Sequence, residues 1–378
     1  QGTNDTRNDI VIRGNSPAST LWRIEDIDIP NPNHFAVPGS MGGPVSIINN
    51  KYLGNSDFLT GAFPAMYGNV NGGVFDLKMR NGNQERFENT FQFGVLGTEL
   101  TSEGPINKAS RASYIITYRY STLDMLQGLN LKIGTDAVPK YQDMGFRINV
   151  PTKKAGTFSL WGIGGKSNID IVVSDKPFED IQNNESYGDK NRDQYFRTNM
   201  GVAALSHVIA LSKNTWMKTS FAASLQTVNS DHDLIIRDTN SVPVSPFPKI
   251  LSYKFEEQKS TLAWFIHSKL TTKSSIRSGF FAVRYDENLY DQVKIIGLKD
   301  SLAQLVTDSV PWKVRENYKG NFYLLQPYIQ WKYRLTELLT LSAGVYSQHV
   351  TLNNQTTLEP RIGIKWNFRE NQSINLGA

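Results

Sequence analysis

Four residues in one short stretch carry the chemistry of ligand contact. Asn31 and Asn33 bring amide donors and acceptors, His34 an imidazole that can take a proton or a metal, and Phe35 a face for stacking. They open a loop, Asn31–Pro44, whose clusters Asn31-Pro32-Asn33 and Pro38-Gly39-Ser40-Met41-Gly42-Gly43-Pro44 are turn chemistry. For any one of the four, shaping and capping the loop is the simpler role, and the ligand role stays open beside it. Asp231-His232-Asp233 could attract a cation, but one imidazole between two carboxylates falls short of a metal site and reads more simply as solvated loop. His267 lies opposite the apolar positions Leu262, Trp264 and Ile266, whereas His207, between Leu205 and Ile209, has no assigned face. The chain contains no H-E-x-x-H, G-x-S-x-G, P-loop or dinucleotide fingerprint. With no cysteine, disulfides, thiolate metal sites and cysteine nucleophiles are excluded. No enzyme activity, metal centre or cofactor is expected.

The elements that must position these residues come in two textures. Residues 1–84 are rich in Gly, Pro and Asn, with short strand-like runs such as Ile10–Arg13, Ser46–Ile48 and Gly73–Met79, and read as a small α+β or β-rich domain. From about residue 86 the pattern changes to period-2 alternation. Leu358, Pro360, Ile362, Ile364, Trp366 and Phe368 alternate with Glu359, Arg361, Gly363, Lys365 and Asn367, which a strand produces and a helix cannot. Tyr323, Leu325, Ile329, Trp331, Tyr333 and Leu335 do the same against Gln326, Gln330, Lys332 and Arg334.

Connections decide between a soluble sheet and a membrane wall. Short turns fall near Asn107–Ser110, Pro151–Gly156, Ser212–Asn214, Thr271–Ser275, Thr336–Glu337 and Arg369–Asn371. Long ones, Ser121–Tyr141, Lys166–Asp193, Asn229–Lys254 and Asp286–Lys319, all fall at the opposite end of the strand register, with a tight reversal near Leu96–Thr98 and a medium loop at Thr351–Thr356. That asymmetry belongs to outer-membrane barrels, and a soluble β-sandwich has no reason to keep it. Twelve strands and the start of a thirteenth follow, from about Phe87 to Ala378. Trp216, Tyr333, Trp366 and Phe368, beside short turns, are placed in an interfacial girdle. Mean hydropathy is −0.38 and no apolar run reaches the ~20 residues of a membrane helix, which leaves a barrel open. The net charge of +5, from 40 basic and 35 acidic residues scattered along 378, argues against nucleic acid. Both ends are expected to fall inside structure, so the chain reads as a fragment whose sheet other strands complete, because an open edge cannot sit in hydrocarbon.

Three stretches then carry a family resemblance. Asp9-Ile10-Val11-Ile12-Arg13-Gly14 looks like an I-x-I-R-G strand and turn, and Trp22–Pro30 is similar to a V-D-G-V-P segment without its glycine. Ala65–Leu77, with Tyr67, Gly68, Gly72 and Gly73, resembles a Y-G-x-x-x-G-G-V-I-N-I signature, Phe75-Asp76 replacing Ile-Asn. The chain thus resembles the TonB-dependent outer-membrane receptors, particularly those of Bacteroidetes. The resemblance implies a plug domain at residues 1–84, truncated at its start. It implies a transmembrane β-barrel at 85–378, truncated at its end, as part of about 22 strands. It further implies a Gram-negative outer membrane, active import of a nutrient or metal complex, and energy from TonB and its inner-membrane complex, whose binding segment is absent here. On that reading Asn31, Asn33, His34 and Phe35 would sit on the plug's apical loop against substrate, while Arg13, Gly14, Tyr67, Gly68, Gly72 and Gly73 are structural. The plug wording of the glycan-importing branch, which pairs with a surface lipoprotein, is not found. A plugged-barrel receptor or structural subunit without transport of its own is the alternative.

Overall fold

A computed structural model describes residues 10–36, 43, 45–94, 97–122, 139–176, 189–238, 240–295 and 310–378. The loop segment 37–42, the turn position Leu96 and most of the connection 121–141 lie outside the described residues. The N-terminal unit is a four-stranded sheet in the order β2-β1-β4-β3, from β1 (Leu21–Ile24), β2 (Ile27–Asp28), β3 (Asp57–Leu59) and β4 (Val74–Leu77). The turns Pro17–Ser19 and Asn50–Tyr52 are 3₁₀. Strand β1 runs parallel to β4 with Ile24 beside Leu77, which aligns the second and third motif stretches side by side.

The remaining strands form one antiparallel sheet of 13, each paired to its neighbour in sequence. They are β5 (Glu88–Phe93), β6 (Thr98–Asn107), β7 (Ala112–Tyr120), β8 (Lys140–Pro151), β9 (Thr157–Ile171), β10 (Arg192–Ala210) and β11 (Thr215–Leu234). After them come β12 (Lys249–Lys269), β13 (Ser274–Lys294), β14 (Trp312–Arg334), β15 (Leu339–Val350), β16 (Gln355–Arg369) and β17 (Gln372–Gly377). Among the described residues, β5 and β17 are the strands of this sheet with an unpaired edge. The thirteen strands and their short turns match the alternation, but β10–β14 run to between 19 and 23 residues and absorb much of the expected long loops. In those upper segments polar residues occupy both faces, so period-2 patterning gave no sign that the ladder continues.

One face of the wall is apolar and open. Phe91, Phe221, Leu358 and Ile362 are 69, 60, 71 and 63% exposed, an apolar surface far beyond what a water-facing sheet tolerates. The opposite face packs on the N-terminal unit. Ile24, Ile27, Ile47, Tyr52 and Leu77 share one core with Ile115, Trp161, Met200, Phe265, Tyr328 and Tyr346 from the wall. Tyr333, Trp366 and Phe368 lie on the open face, whereas Trp216 does not. Trp216 shares strand parity with buried Lys218 and Ser220 and packs edge-on to Phe265 at 5.2 Å. Its parity, rather than its place beside a short turn, sets its face.

Candidate functional site

The functional geometry lies in the seam between the N-terminal unit and the wall. At the short-turn end, the reversal from β1 to β2 pushes two adjacent carboxylates outward. Glu25 and Asp26 both adopt positive φ, 51° and 70°, which few non-glycine residues do. The contacts they gain hold them there. Asp26 meets Lys218 of β11 at 2.6 Å, Arg277 of β13 at 3.2 Å and Lys78 at 3.5 Å. Glu25 meets Arg147 of β8 at 3.3 Å and Lys218 at 3.4 Å, and accepts the Met79 N–H at 2.9 Å. Burial alone would raise the Asp26 carboxyl, but Lys218, Lys78 and Arg277 outweigh it and hold it far below the ordinary range. Glu25 is lowered too, burial again being outweighed by Arg147 and Lys218. Removing one member of so buried a cluster costs about 3–5 kcal/mol, because the remaining charge is stranded.

A second clamp lies under the glycine signature. The Tyr346 ring of β15, fully buried, presses on Gly68 so closely that a Cβ there would stand 1.8 Å from Cζ. The Tyr346 hydroxyl accepts from Gln326 Nε2 at 2.7 Å and donates to Gln348 at 2.9 Å, which fixes the ring. Arg361 of β16 donates to the carbonyls of Pro64 and Tyr67 at 3.2 and 2.5 Å, and Tyr67 donates its hydroxyl to Asp76 at 2.6 Å. Gly72 and Gly73 tie the same segment to β1, through Gly72 N to Ser19 O at 3.1 Å and Leu21 N to Gly73 O at 2.8 Å. Arg13 and Gly14 form a left-handed turn, φ 52° and 76°.

At the long-loop end, the residues 31–36 pass under β7 to β9. Asn31, Asn33 and His34 are 2, 6 and 0% exposed, covered by the wall rather than facing open space, and Phe35 is half-buried. His34 Nε2 lies 3.0 Å from Asp143 Oδ2, its ring 4.8 Å from Tyr141, and Arg119 pairs with the same carboxylate at 2.7 Å while reaching Ser46 O. Ser167 accepts the Phe35 N–H at 3.0 Å. Burial pushes the imidazole below its ordinary 6.5 in spite of Asp143, so His34 is neutral at physiological pH. Asn33 N–H donates to Asn31 Oδ1 at 2.9 Å, so Asn31 caps the turn.

The other histidines resolve by strand parity. His232 lies on β11 with Asp231 and Asp233 on the opposite face, and Asp231 pairs with Lys249 at 3.0 Å. Among the described residues no three metal-ligating side chains converge. His207 stacks on Phe158 at 4.4 Å on the open face, and His267 faces the seam. Sequence reasoning missed Lys218, Arg277, Arg147, Tyr346 and Arg361, because each meets a partner more than a hundred residues away. Its only hint was the polar parity they share.

No protein-family model and no curated protein matches the sequence. Solved structures do. The siderophore receptor PirA from Acinetobacter baumannii is 15% identical with a TM-score of 0.60, over 99% of this chain and 55% of that one. The pyoverdine outer membrane receptor FpvA from Pseudomonas aeruginosa, bound to pyoverdine, is 12% identical with a TM-score of 0.66, over 94% and 54%. The copper transporter OprC is 9% identical with a TM-score of 0.59, over 95% and 55%. The chain spans about half the length of these receptors. At such identities the likeness is one of architecture, and the chain has the fold of roughly half an outer-membrane receptor: a small sheet seated against the inner face of an antiparallel wall.

Proposed function

We propose that this chain is part of a TonB-dependent importer of the Gram-negative outer membrane, of the kind found in Bacteroidetes, with residues 1–84 as plug and 85–378 as barrel wall. The observation that carries the reading is the seam: an apolar outer face on the wall, and an inner face bound to a separate small domain through buried ion pairs. A sheet with that polarity is stable in lipid, where about 9–11 tilted residues cross the hydrocarbon. The 23 residues of β14 then extend well beyond it. Further strands close the sheet, since its two edges would otherwise leave backbone groups unpaired in lipid. The short turns face the periplasm and the long ones the exterior.

A wide barrel needs its plug to avoid leaking, and the plug needs outside work to move. TonB, drawing on the inner-membrane complex, supplies that work. The Glu25–Asp26 cluster and the Tyr346–Gly68 clamp are the contacts that work must loosen. The cargo is a metal complex, taken up from the exterior face. There Phe35 contributes contact while Asn31, Asn33 and His34 hold the loop from beneath. Nothing in this reading assigns catalysis or a resident cofactor. Deleting the gene and measuring energised uptake of radiolabelled metal complexes tests the proposal. Loss of uptake that the intact gene restores is expected; unchanged uptake across the panel would leave a receptor or scaffold role instead.

A further inference from the structure

A cavity of about 360 Å³ opens in the seam at the short-turn end, between the segment around Met66 and strands β12 to β17, reaching Asn375 and Leu376 on the edge strand. Its wall is built from register rows that step by two residues along β14 and again along β15. His267 pairs in register with Arg277, Arg277 with Gln330, Lys332 with Ser342, and Thr340 with Lys365. Three of these positions are cations, and no carboxylate lines the cavity among the described residues. Arg277 is engaged with Asp26 at 3.2 Å. Lys332 and Lys365 form no ion pair among the described residues. They stand two strands apart and two residues out of register, roughly 12 Å at ~4.8 Å per strand and ~3.4 Å per residue. A solvated protein surface intersperses both signs, whereas this half-open cavity gathers one sign on exposed lysines, which favours an anion. Its volume falls in the range of small-molecule sites.

We infer that this cavity binds a small polyanion, one with two or more carboxylate or phosphate groups spaced to meet Lys332 and Lys365, and that it holds anionic cargo leaving along the seam. The cargo half of this inference rests on the importer reading; the anion site does not. Lys332 and Lys365 act as the specificity-determining charges, and Arg277 couples the site to the plug, because the same guanidinium grips Asp26. Filling the cavity with anion thus competes for a cation that latches the plug.

The test uses the full-length receptor containing this segment, purified in a non-ionic detergent at low ionic strength, with citrate alone as probe in calorimetry. Saturable citrate binding is expected, and Lys332→Gln with Lys365→Gln should weaken it at least about tenfold, the scale of losing a charge-assisted contact. Lys254→Gln with Lys319→Gln, at the far end of the strands, should leave it unchanged. Thermal unfolding of each variant confirms that the barrel is intact. Equal citrate affinity in the Lys332/Lys365 variant, or no binding by the intact receptor, overturns the site even if energised uptake is normal. Phosphatidylglycerol added to the micelles distinguishes the source. If it abolishes citrate binding through the same lysines, the anion is a lipid headgroup and the cargo assignment falls. If citrate binding persists, it stands.

Discussion

Asp26 and Gly68 concentrate the account at the residue scale. Asp26→Asn keeps shape but leaves Lys218 to Glu25 alone and Arg277 without its carboxylate, and should loosen the docking of the N-terminal sheet by about 3 kcal/mol. Hydrogen exchange over residues 20–36 would read this as faster exchange than in the intact protein; an unchanged rate would mean the cluster is ornamental. The same carboxylates set a pH dependence. Their folded pKa values are lowered, so their stabilisation is fully present above the ordinary values of 4.5 for Glu25 and 3.8 for Asp26, and is lost as pH falls below them. Plug exchange should therefore be flat from pH 8 to 5 and accelerate below about pH 4, with Asp26→Asn showing a weaker acid response. Gly68→Ala drives a methyl into the Tyr346 ring. It should lower the melting temperature, and Tyr346→Ala in the same chain should recover part of the loss; no recovery would place the strain elsewhere. Little of this was legible in the sequence. The glycine signature marked where a backbone comes close, but Tyr346, 278 residues on, was one aromatic among many. His34 was visible as chemistry, and its burial under Tyr141 was not, because burial by another domain leaves no local pattern.

At the scale of elements, alternation was a reliable guide wherever one face is apolar and open and the other packs on the N-terminal sheet. Strands β14 and β16 read cleanly because outward Leu325, Ile329 and Trp331, or Ile362, Ile364 and Trp366, oppose inward Gln326, Gln330, Arg361 and Lys365. The guide failed where both faces meet water. Residues Trp312–Asn321 of β14 are mostly polar, so the strand continued where a loop was expected. The same logic gives a substitution test. Phe221 lies on the open face within the lower half of β11, and Phe221→Arg should destabilise the folded wall by about 2–4 kcal/mol if that face meets the bilayer interior. Denaturant titration in lipid vesicles measures it. A cost near zero would mean that the face is wet.

For the whole molecule, the seam between the N-terminal sheet and the wall matters most. The two share one apolar core, yet they meet through discrete clamps that can be fastened artificially because the chain has no native cysteine. Ala65 on the plug and Gly344 on β15 are close enough that a Cβ built on Gly344 would stand 2.7 Å from that of Ala65. A small backbone adjustment there accommodates a disulfide, whose Cβ atoms stand about 3.5–4.5 Å apart. That a small sheet gives way to a large antiparallel one between Leu77 and Glu88 was legible as a change of texture, whereas the clamps joining them were not, since their partners come from distant parts of the sequence. The decisive measurement is energised uptake by the full-length receptor carrying Ala65→Cys and Gly344→Cys, oxidised and then reduced. Uptake abolished by the cross-link and restored by reductant is the predicted result; equal uptake in fully cross-linked receptor would contradict a plug that must part from its wall.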